Sequence, residues 1–255
     1  MSRTHVITGS ASGIGQAAAH RLLSNGQRVI GVDLRDADVE ADLSTPEGRS
    51  DAIARIRALA PEGIDGLLTS AGASDPDKPG LACAVNFFGT TDLVTGLRPA
   101  MRAPGARCVV VSSAGQLQSN QDTAELERLC LEGDEEKAVA LAQTMGTINV
   151  YPGTKHALAV WARRMAVQPE WAGSGVLINI VGPGVINTPM TVKSALIPEM
   201  AEKIRKTAPR ATTDVGQPEE VAELMDFLLN CQTGYIVGQT IFIDGGTEAL
   251  LRPEL

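Results

Sequence analysis

Basic runs, membrane-length apolar runs and paired cysteines are all missing from this chain of 255 residues. The formal net charge is −8 and the pI is near 5.0. That balance argues against general nucleic-acid binding and against a basic face for a membrane surface. No apolar stretch approaches the roughly 20 residues that a spanning helix needs. The N-terminus enters an apolar strand almost at once, which leaves no room for the charged and apolar regions of a signal peptide. The four cysteines, Cys83, Cys108, Cys130 and Cys231, are far apart and form no CxxC pair. Three of them sit in apolar periodic segments, so buried free thiols in a reducing compartment are expected, not disulfides or a metal site. The expectation is a cytoplasmic protein with no metal, no nucleic-acid partner and no membrane contact.

What is present is a globular composition, 44% hydrophobic and 20% charged. A chain of this length can bury one sizeable core, although length alone allows one α/β domain or two small ones. The organising stretch is residues 8–15, TGSASGIG. An apolar run at His5-Val6-Ile7 precedes it, and a segment with helical spacing follows over residues 14–23, closed by Asn25-Gly26. Strand, glycine-rich turn and helix together let backbone N–H groups and a helix N-terminus hold a pyrophosphate. Gly9, Gly13 and Gly15 divide the work: a tight turn, close phosphate approach, and close packing of helix on strand. Such turns also occur for steric reasons alone. Here the next apolar run, residues 28–32, ends in Asp33, about twenty residues on, where a carboxylate can accept hydrogen bonds from an adenosine ribose.

Strand-like and helix-like segments then alternate to the end. Strands are expected at residues 39–43, 64–70, 107–113, 176–181 and 239–243. Helices are expected at 46 to about 60, 81 to about 101, from Tyr151 through Val167, and 217–229, with two more at about 123–131 and 134–145. This order gives one α/β domain over residues 1–255, a doubly wound parallel sheet with helices on both faces. Three local features have ordinary structural explanations. Asp42 can cap the helix that begins at Ser44-Thr45-Pro46-Glu47. Asn86, among apolar residues, can bend its helix through a backbone bond. Ser112-Ser113 can cap a strand end. Yet strand C-terminal ends are where an open parallel sheet places its ligands, and Tyr151 and Lys155, at i and i+4, share one helix face.

The spacing TGxxxGxG, the strand-end serines, the YxxxK pair, Gly182-Pro183-Gly184 with Thr188, and Asp244-Gly245-Gly246 stand in a fixed order. Together they resemble the short-chain dehydrogenase/reductase family over about the whole chain. One departure is Ser70, where the family usually has Asn before Ala-Gly; a hydroxyl offers fewer donors than an amide. The resemblance implies a Rossmann fold, an NAD cofactor and hydride transfer between the nicotinamide and a secondary alcohol or ketone. It assigns cofactor contacts to Gly9, Ser12, Gly13, Ile14, Gly15, Asp33, Asp42 (at the adenine), Leu43, Ala71, Gly72, Tyr151, Lys155, Pro183, Gly184, Ile186 and Thr188, and no metal. It assigns catalysis to Ser113, Tyr151 and Lys155, with Asn86 holding a water that links the lysine to solvent.

A phenol with a pKa near ~10 is a poor base at neutral pH. On this reading Lys155 and the oxidised nicotinamide lower it, Tyr151 moves the proton, and Ser113 holds the substrate oxygen. Ser113 is preferred to Ser112 because the family's serine is the second of such a pair. Asp33 would repel a 2′-phosphate, no Arg or Lys lies within residues 9–15, and Arg35 is the one nearby cation able to compete, so NAD is expected over NADP.

Within the family, residues 31–49 (GVDLRDADVEADLSTPEGR), VNFFG around Asn86 and the long section before Tyr151 resemble the bacterial 3α-hydroxysteroid dehydrogenase/carbonyl reductase group. Coniferyl-alcohol-type dehydrogenases are the alternative. A catalytically silent NAD-sensing protein is a third reading, but such a protein would be expected to lose Tyr or Lys. The resemblance implies a helical insertion at about 116–146, a substrate lid at about 190–213, and a homodimer, because an insertion there covers the surface used by family tetramers. Leu117, Val185, Ile186, Met190, Val192, Leu196, Ile197 and Met200 are expected to border an apolar pocket, with Lys193 the main charge. A hydrophobic secondary alcohol suits such a pocket, although a lid helix needs an apolar face in any case.

Overall fold

The fold was obtained as a computed structural model, which describes residues 2–254 apart from the side chains of residues 199, 200, 203 and 205. Seven parallel strands form one sheet: β1 (Thr4–Thr8), β2 (Arg28–Asp33), β3 (Val39–Glu40), β4 (Gly66–Thr69), β5 (Arg107–Val111), β6 (Leu177–Pro183) and β7 (Thr240–Ile243). Their order is β3-β2-β1-β4-β5-β6-β7. β1 is flanked by β2 and β4, with Val6 opposite Ile30 on one side and Leu67 on the other. The strand order reverses between β1 and β4, which opens a crevice at their C-terminal ends.

Successive residues of β1 serve opposite faces of the sheet, as the strand period of two requires. Ile7 packs with Leu68 and Val109 against α1 (Gly13–Ser24) and a later helix, residues 218–230, through Leu22, Met225 and Leu228. Val6 packs with Leu67 and Val110 on the other face. That face is covered by α2 (Pro46–Leu59), α3 (Pro79–Cys83), α4 (Thr90–Leu97) and a long helix at residues 147–166. All residues of β1, β4, β5 and β6 are buried, and each reads as a nearly continuous apolar run for that reason.

Between β5 and the long helix come α5 (Ala124–Glu132) and α6 (Glu135–Thr144). Gly133, at φ +79°, makes the turn between them, and Asp134 caps α6 by accepting from Lys137 N at 3.2 Å. Leu126, Leu129, Cys130, Ala138 and Ala142 belong to the same core as the sheet face. Buried Arg49 of α2 ties this hairpin down through Glu135 at 2.6 Å, and also meets Asp92 of α4 at 3.1 Å. α7 (Thr147–Ala166), α8 (Pro189–Ala195), α9 (Pro198–Thr207), α10 (Pro218–Asn230) and α11 (Thr247–Leu251) complete the chain. Among the described residues no helix is long and apolar enough to cross a membrane. Cys83, Cys108 and Cys130 are buried and Cys231 half-buried, all as thiols. The Sγ atoms of Cys83 and Cys130 lie 3.9 Å apart between α3 and α5.

Three elements differ from the sequence expectation. The strand expected at 39–43 stops at Glu40, because Ala41 N turns back to Asp33 O at 2.9 Å. The helix expected at 81–101 is not continuous: α3 passes through a π-helical turn, Ala84–Gly89, into α4 and a 3₁₀ turn, Arg98–Ala100. Such a π turn re-aims a side chain, here Asn86. α7 begins at Thr147, one turn before Tyr151, and keeps Pro152 inside it. Proline usually marks a helix start, but burial of Thr147 and Val150 extends the helix past that signal.

Candidate active site

The crevice between β1 and β4 opens into a cavity of about 590 Å³. Its floor is the glycine turn. Gly9 N donates to Val32 O at 2.8 Å. At Gly9, with φ +70°, an added Cβ would lie 2.8 Å from Ala71 N, and one on Gly15 would collide with the Gly9 carbonyl. Only glycines allow the turn to sit between the β4 loop and the start of α1. Ser12 stands at the N-cap of α1 without capping it by its side chain, and the first turn holds no acidic residue. The leading N–H groups of α1 therefore face the cavity with a favourable dipole for an anion. The donor set suits a dinucleotide's diphosphate.

The remaining predicted cofactor residues are distributed around this cavity. Gly9, Ser12, Gly13, Ile14, Ala71 and Gly72 line its centre, Asp33, Asp42 and Leu43 one end, and Pro183, Gly184, Ile186 and Thr188 the other. Gly15 lies behind the wall and acts through packing. Asp33 accepts from Ala11 N at 2.9 Å and Leu34 N at 2.7 Å, so it braces the glycine turn while facing the cavity. Asp42 accepts from the Ser44 amide and hydroxyl at 2.9 and 2.7 Å, and the cap of α2 is Thr45. Asp42 thus shapes the turn before the helix and does not cap it. Thr188 caps α8 by accepting from Thr191 N at 3.3 Å. At the departure Ser70, the strand end is held from β1, where Thr8 Oγ1 accepts from Ala71 N at 3.0 Å.

At the reacting end, geometry separates the two serines. Ser112 Oγ donates to the Lys155 carbonyl at 2.8 Å and is occupied in holding β5 to α7. Ser113 Oγ accepts from Gly115 N at 3.0 Å and donates to Pro183 O at 3.5 Å, and it stands beside Tyr151: a Cβ on Gly115 would lie 3.2 Å from both side chains. Lys155 Nζ donates to Val111 O at 3.0 Å and stands 5.9 Å from the Tyr151 ring centroid. Burial lowers the Lys155 ammonium to about 8. Burial also pushes the Tyr151 phenol above its ordinary value, opposed by the Ser113 hydroxyl. The expected lowering of the phenol by Lys155 is not a property of these side chains as arranged, because the ammonium bonds a carbonyl and desolvation dominates. Asn86 is likewise re-read. Its carboxamide clamps Ala73, accepting from the amide at 2.8 Å and donating to the carbonyl at 3.0 Å, and does not bond its own helix. A Cβ on Gly72 would lie 3.2 Å from Asn86 Oδ1 and 3.8 Å from Lys155 Nζ, so the two groups sit behind the same glycine.

A second cavity, of about 150 Å³, shares Ser113, Tyr151, Gly184, Met190 and Thr191 with the first. Ala114, Ile148, Val185, Ile204 and Ala208 supply apolar wall, and Ser74, Gln118, Thr147, Ser194 and Thr207 polar groups. Several sequence assignments fail here. Leu117 lies outside both cavities, with Gln118 in its place. Ile197 lines neither, whereas Ile186 lines the nucleotide cavity and Val185 the second one, as expected of residues near the nicotinamide. Val192 and Leu196 are 53% and 79% exposed. The inward face of α8 is Met190, Thr191 and Ser194; periodicity marks an apolar face but not which way it turns. The Met200 side chain lies outside the described residues. Lys193 points outward, 3.9 Å from Asp75. Lys78 and Gln143, which no motif marks, also line the nucleotide cavity. A lone polar residue in a loop or on a helix carries no sequence signal for such a place.

Known proteins place the chain. A 3-alpha-hydroxysteroid dehydrogenase/carbonyl reductase of Comamonas testosteroni is 37% identical over 255 residues, covering 97% of each chain. The chain belongs to the short-chain dehydrogenase/reductase family. Family models described as short chain dehydrogenase and as enoyl-(acyl carrier protein) reductase match residues 3–124 and 137–248. The unmatched residues between them fall on α5 and the start of α6. A coniferyl-alcohol dehydrogenase of a Pseudomonas strain is 30% identical, covering 94% of each chain. The structure of a 3-alpha-hydroxysteroid dehydrogenase from Pseudomonas sp. B-0831, complexed with NADH, superposes with a TM-score of 0.92 at 40% identity, covering 99% of each chain. As a family member the protein is an oxidoreductase that works with a nucleotide cofactor.

Proposed function

We propose that this enzyme interconverts a hydrophobic secondary alcohol and its ketone with NAD as hydride carrier, a steroid-type 3α-hydroxyl being the first candidate. The observation that carries the reading is the Ser113–Tyr151 hydroxyl pair, which faces both the nucleotide cavity and the smaller, largely apolar one. The glycine turn and α1 would hold the diphosphate, Asp33 the adenosine ribose, Asp42 and Leu43 the adenine, and the segment 183–188 the nicotinamide end. Asp33 at the end of β2 supports NAD, since a carboxylate there repels a 2′-phosphate. The nicotinamide supplies or accepts the hydride.

The protein's own part is proton transfer and charge stabilisation. Ser113 orients the substrate oxygen, Tyr151 gives or takes its proton, and Lys155 places a positive charge beneath the ring. Asn86 acts one step back, fixing Ala73 and the loop beside Lys155. We read residues 116–146 as an insertion and 190–213 as a lid within one domain. The names of the similar proteins from Comamonas and Pseudomonas support the steroid substrate. The second cavity, at about 150 Å³, is below the ~300–1,000 Å³ usual for ligand sites. A steroid would be gripped by its reacting end with the rest projecting past the lid. The same measurement favours a second reading, a coniferyl-type aromatic alcohol.

The test is a panel of 3α- and 3β-hydroxysteroids, aromatic alcohols and small polar alcohols, followed by NADH formation. Ring-containing substrates should lead by kcat/KM, and Tyr151→Phe should abolish turnover with NADH binding nearly intact. Faster turnover of small polar alcohols than of any ring-containing substrate overturns the assignment of substrate. Unchanged activity of the Phe variant overturns the mechanism.

A further inference from the structure

The nucleotide cavity is poorly supplied with positive charge for an anionic ligand. Its charged lining side chains are Asp33, Asp42, Lys155 and Lys78. Lys155 is buried at the reacting end and donates to Val111 O. Lys78 is exposed and, among the described residues, has no ion-pair partner. It stands on the loop from β4 to α3. β4 neighbours β1 where the strand order reverses, so that loop leaves the sheet at the crevice and borders the same cavity as the glycine turn. The backbone at Lys78 is fixed: its amide donates to Asp75 O at 3.1 Å, and its carbonyl accepts from Leu81 N at 3.1 Å. The side chain is thus free to reach a ligand from a rigid base.

The inserted hairpin meets the same cavity. Gln143 is the one residue of α5 and α6 that lines the cavity. Its carboxamide packs over Gly80, where any Cβ would collide with Nε2. α6 therefore braces the first turn of α3, two residues beyond Lys78. We propose that Lys78 is a cofactor-binding residue that supplies positive charge to the dinucleotide's diphosphate, with Gln143 of the inserted hairpin bracing the start of α3 beside it. This rests on the nucleotide reading above and extends it, because it gives the insertion a part in cofactor binding. Charge selects the diphosphate over other parts of the ligand, because it is the anionic group of the dinucleotide and the one that gains most from an ammonium.

The experiment titrates the full-length wild type, Lys78→Met, Lys78→Glu and Gln143→Ala with NADH by fluorescence, and with ADP and adenosine by competition, at low and high salt. Lys78→Met should raise Kd for NADH and ADP about three- to tenfold at low salt, as expected of a charge-assisted contact at an exposed site. Lys78→Glu should raise it further. Both effects should shrink toward unity near 1 M salt, where the screening length falls to about 3 Å. Adenosine should bind all variants alike, and Gln143→Ala should show a smaller shift of the same kind. Wild-type Kd values for NADH and ADP in both Lys78 variants, or an equal loss for adenosine, would overturn the proposal. A wild type that binds no nicotinamide dinucleotide would instead overturn the nucleotide reading. Urea midpoints equal to wild type show that the Lys78 variants fold.

Discussion

Lys155 is charged near neutral pH yet only 4% exposed, and its ammonium is lowered to about 8 from an ordinary 10.5 by burial. Removing it should therefore stabilise the protein while destroying activity. A pKa lowered by that amount penalises the charged form in the fold by about 3 kcal/mol at pH 7, at about 1.36 kcal/mol per unit. Lys155→Met removes that penalty but leaves the Val111 carbonyl without its donor, a loss of about 1–3 kcal/mol. The net gain at pH 7 is then about 0–2 kcal/mol. The pH dependence is the sharper test. The folded pKa is depressed, so this group's contribution is complete above 10.5 and is lost as pH falls through 8. Between pH 7 and 9.5 the wild type should gain about 2 kcal/mol on the variant by linkage. Urea unfolding of both proteins at the two pH values measures it. A gap that stays constant, or widens in favour of the variant as pH rises, refutes the claim that Lys155 is held charged against burial.

Ser113→Ala should lower kcat by about 10²-fold or more, as loss of an oxyanion partner does, whereas Ser112→Ala should lower stability by about 1 kcal/mol and keep most of the turnover; steady-state kinetics beside unfolding curves separate them. Gly15→Ala forces a Cβ into the Gly9 carbonyl and should cost about 1–3 kcal/mol and weaken NADH binding; binding within twofold of wild type would mean that the turn relaxes freely. Burial raises the Glu127 carboxyl, but the bonds it accepts from His156 (2.7 Å), Ser119 and Thr123 outweigh this and hold it below the ordinary range. Its contribution is complete above the ordinary carboxylate pKa and is lost as pH falls through the lowered value, so Glu127→Gln should flatten acid unfolding between about pH 5 and 3; parallel acid curves would contradict this. Because α5 and α6 pack on α7 and α3, we expect a homodimer, and a tetramer in light scattering that pairs through residues 81–101 and 151–167 would refute it.

The local signals in the chain were sufficient for most of the architecture. Buried parallel strands must be apolar throughout, so β1, β4, β5 and β6 stood out, and a turn that needs glycine at three positions announces itself. A helix face of period 3.6 put Tyr151 and Lys155 together before any fold was known. Which of two adjacent serines meets the tyrosine was not written there; the pairing of β5 with α7 decided it by occupying Ser112 with the Lys155 carbonyl. The break of the 81–101 helix at Asn86 was also hidden, since its partner, Ala73, belongs to another loop. For the lid, periodicity gave apolar faces but no direction, and Val192 and Leu196 turned out to face solvent. Gln143 reaches the cavity because α6 packs against α3, a contact between segments some sixty residues apart. Sequence patterns report what a segment requires of its own backbone and faces; the side chain it meets across the fold is set by packing.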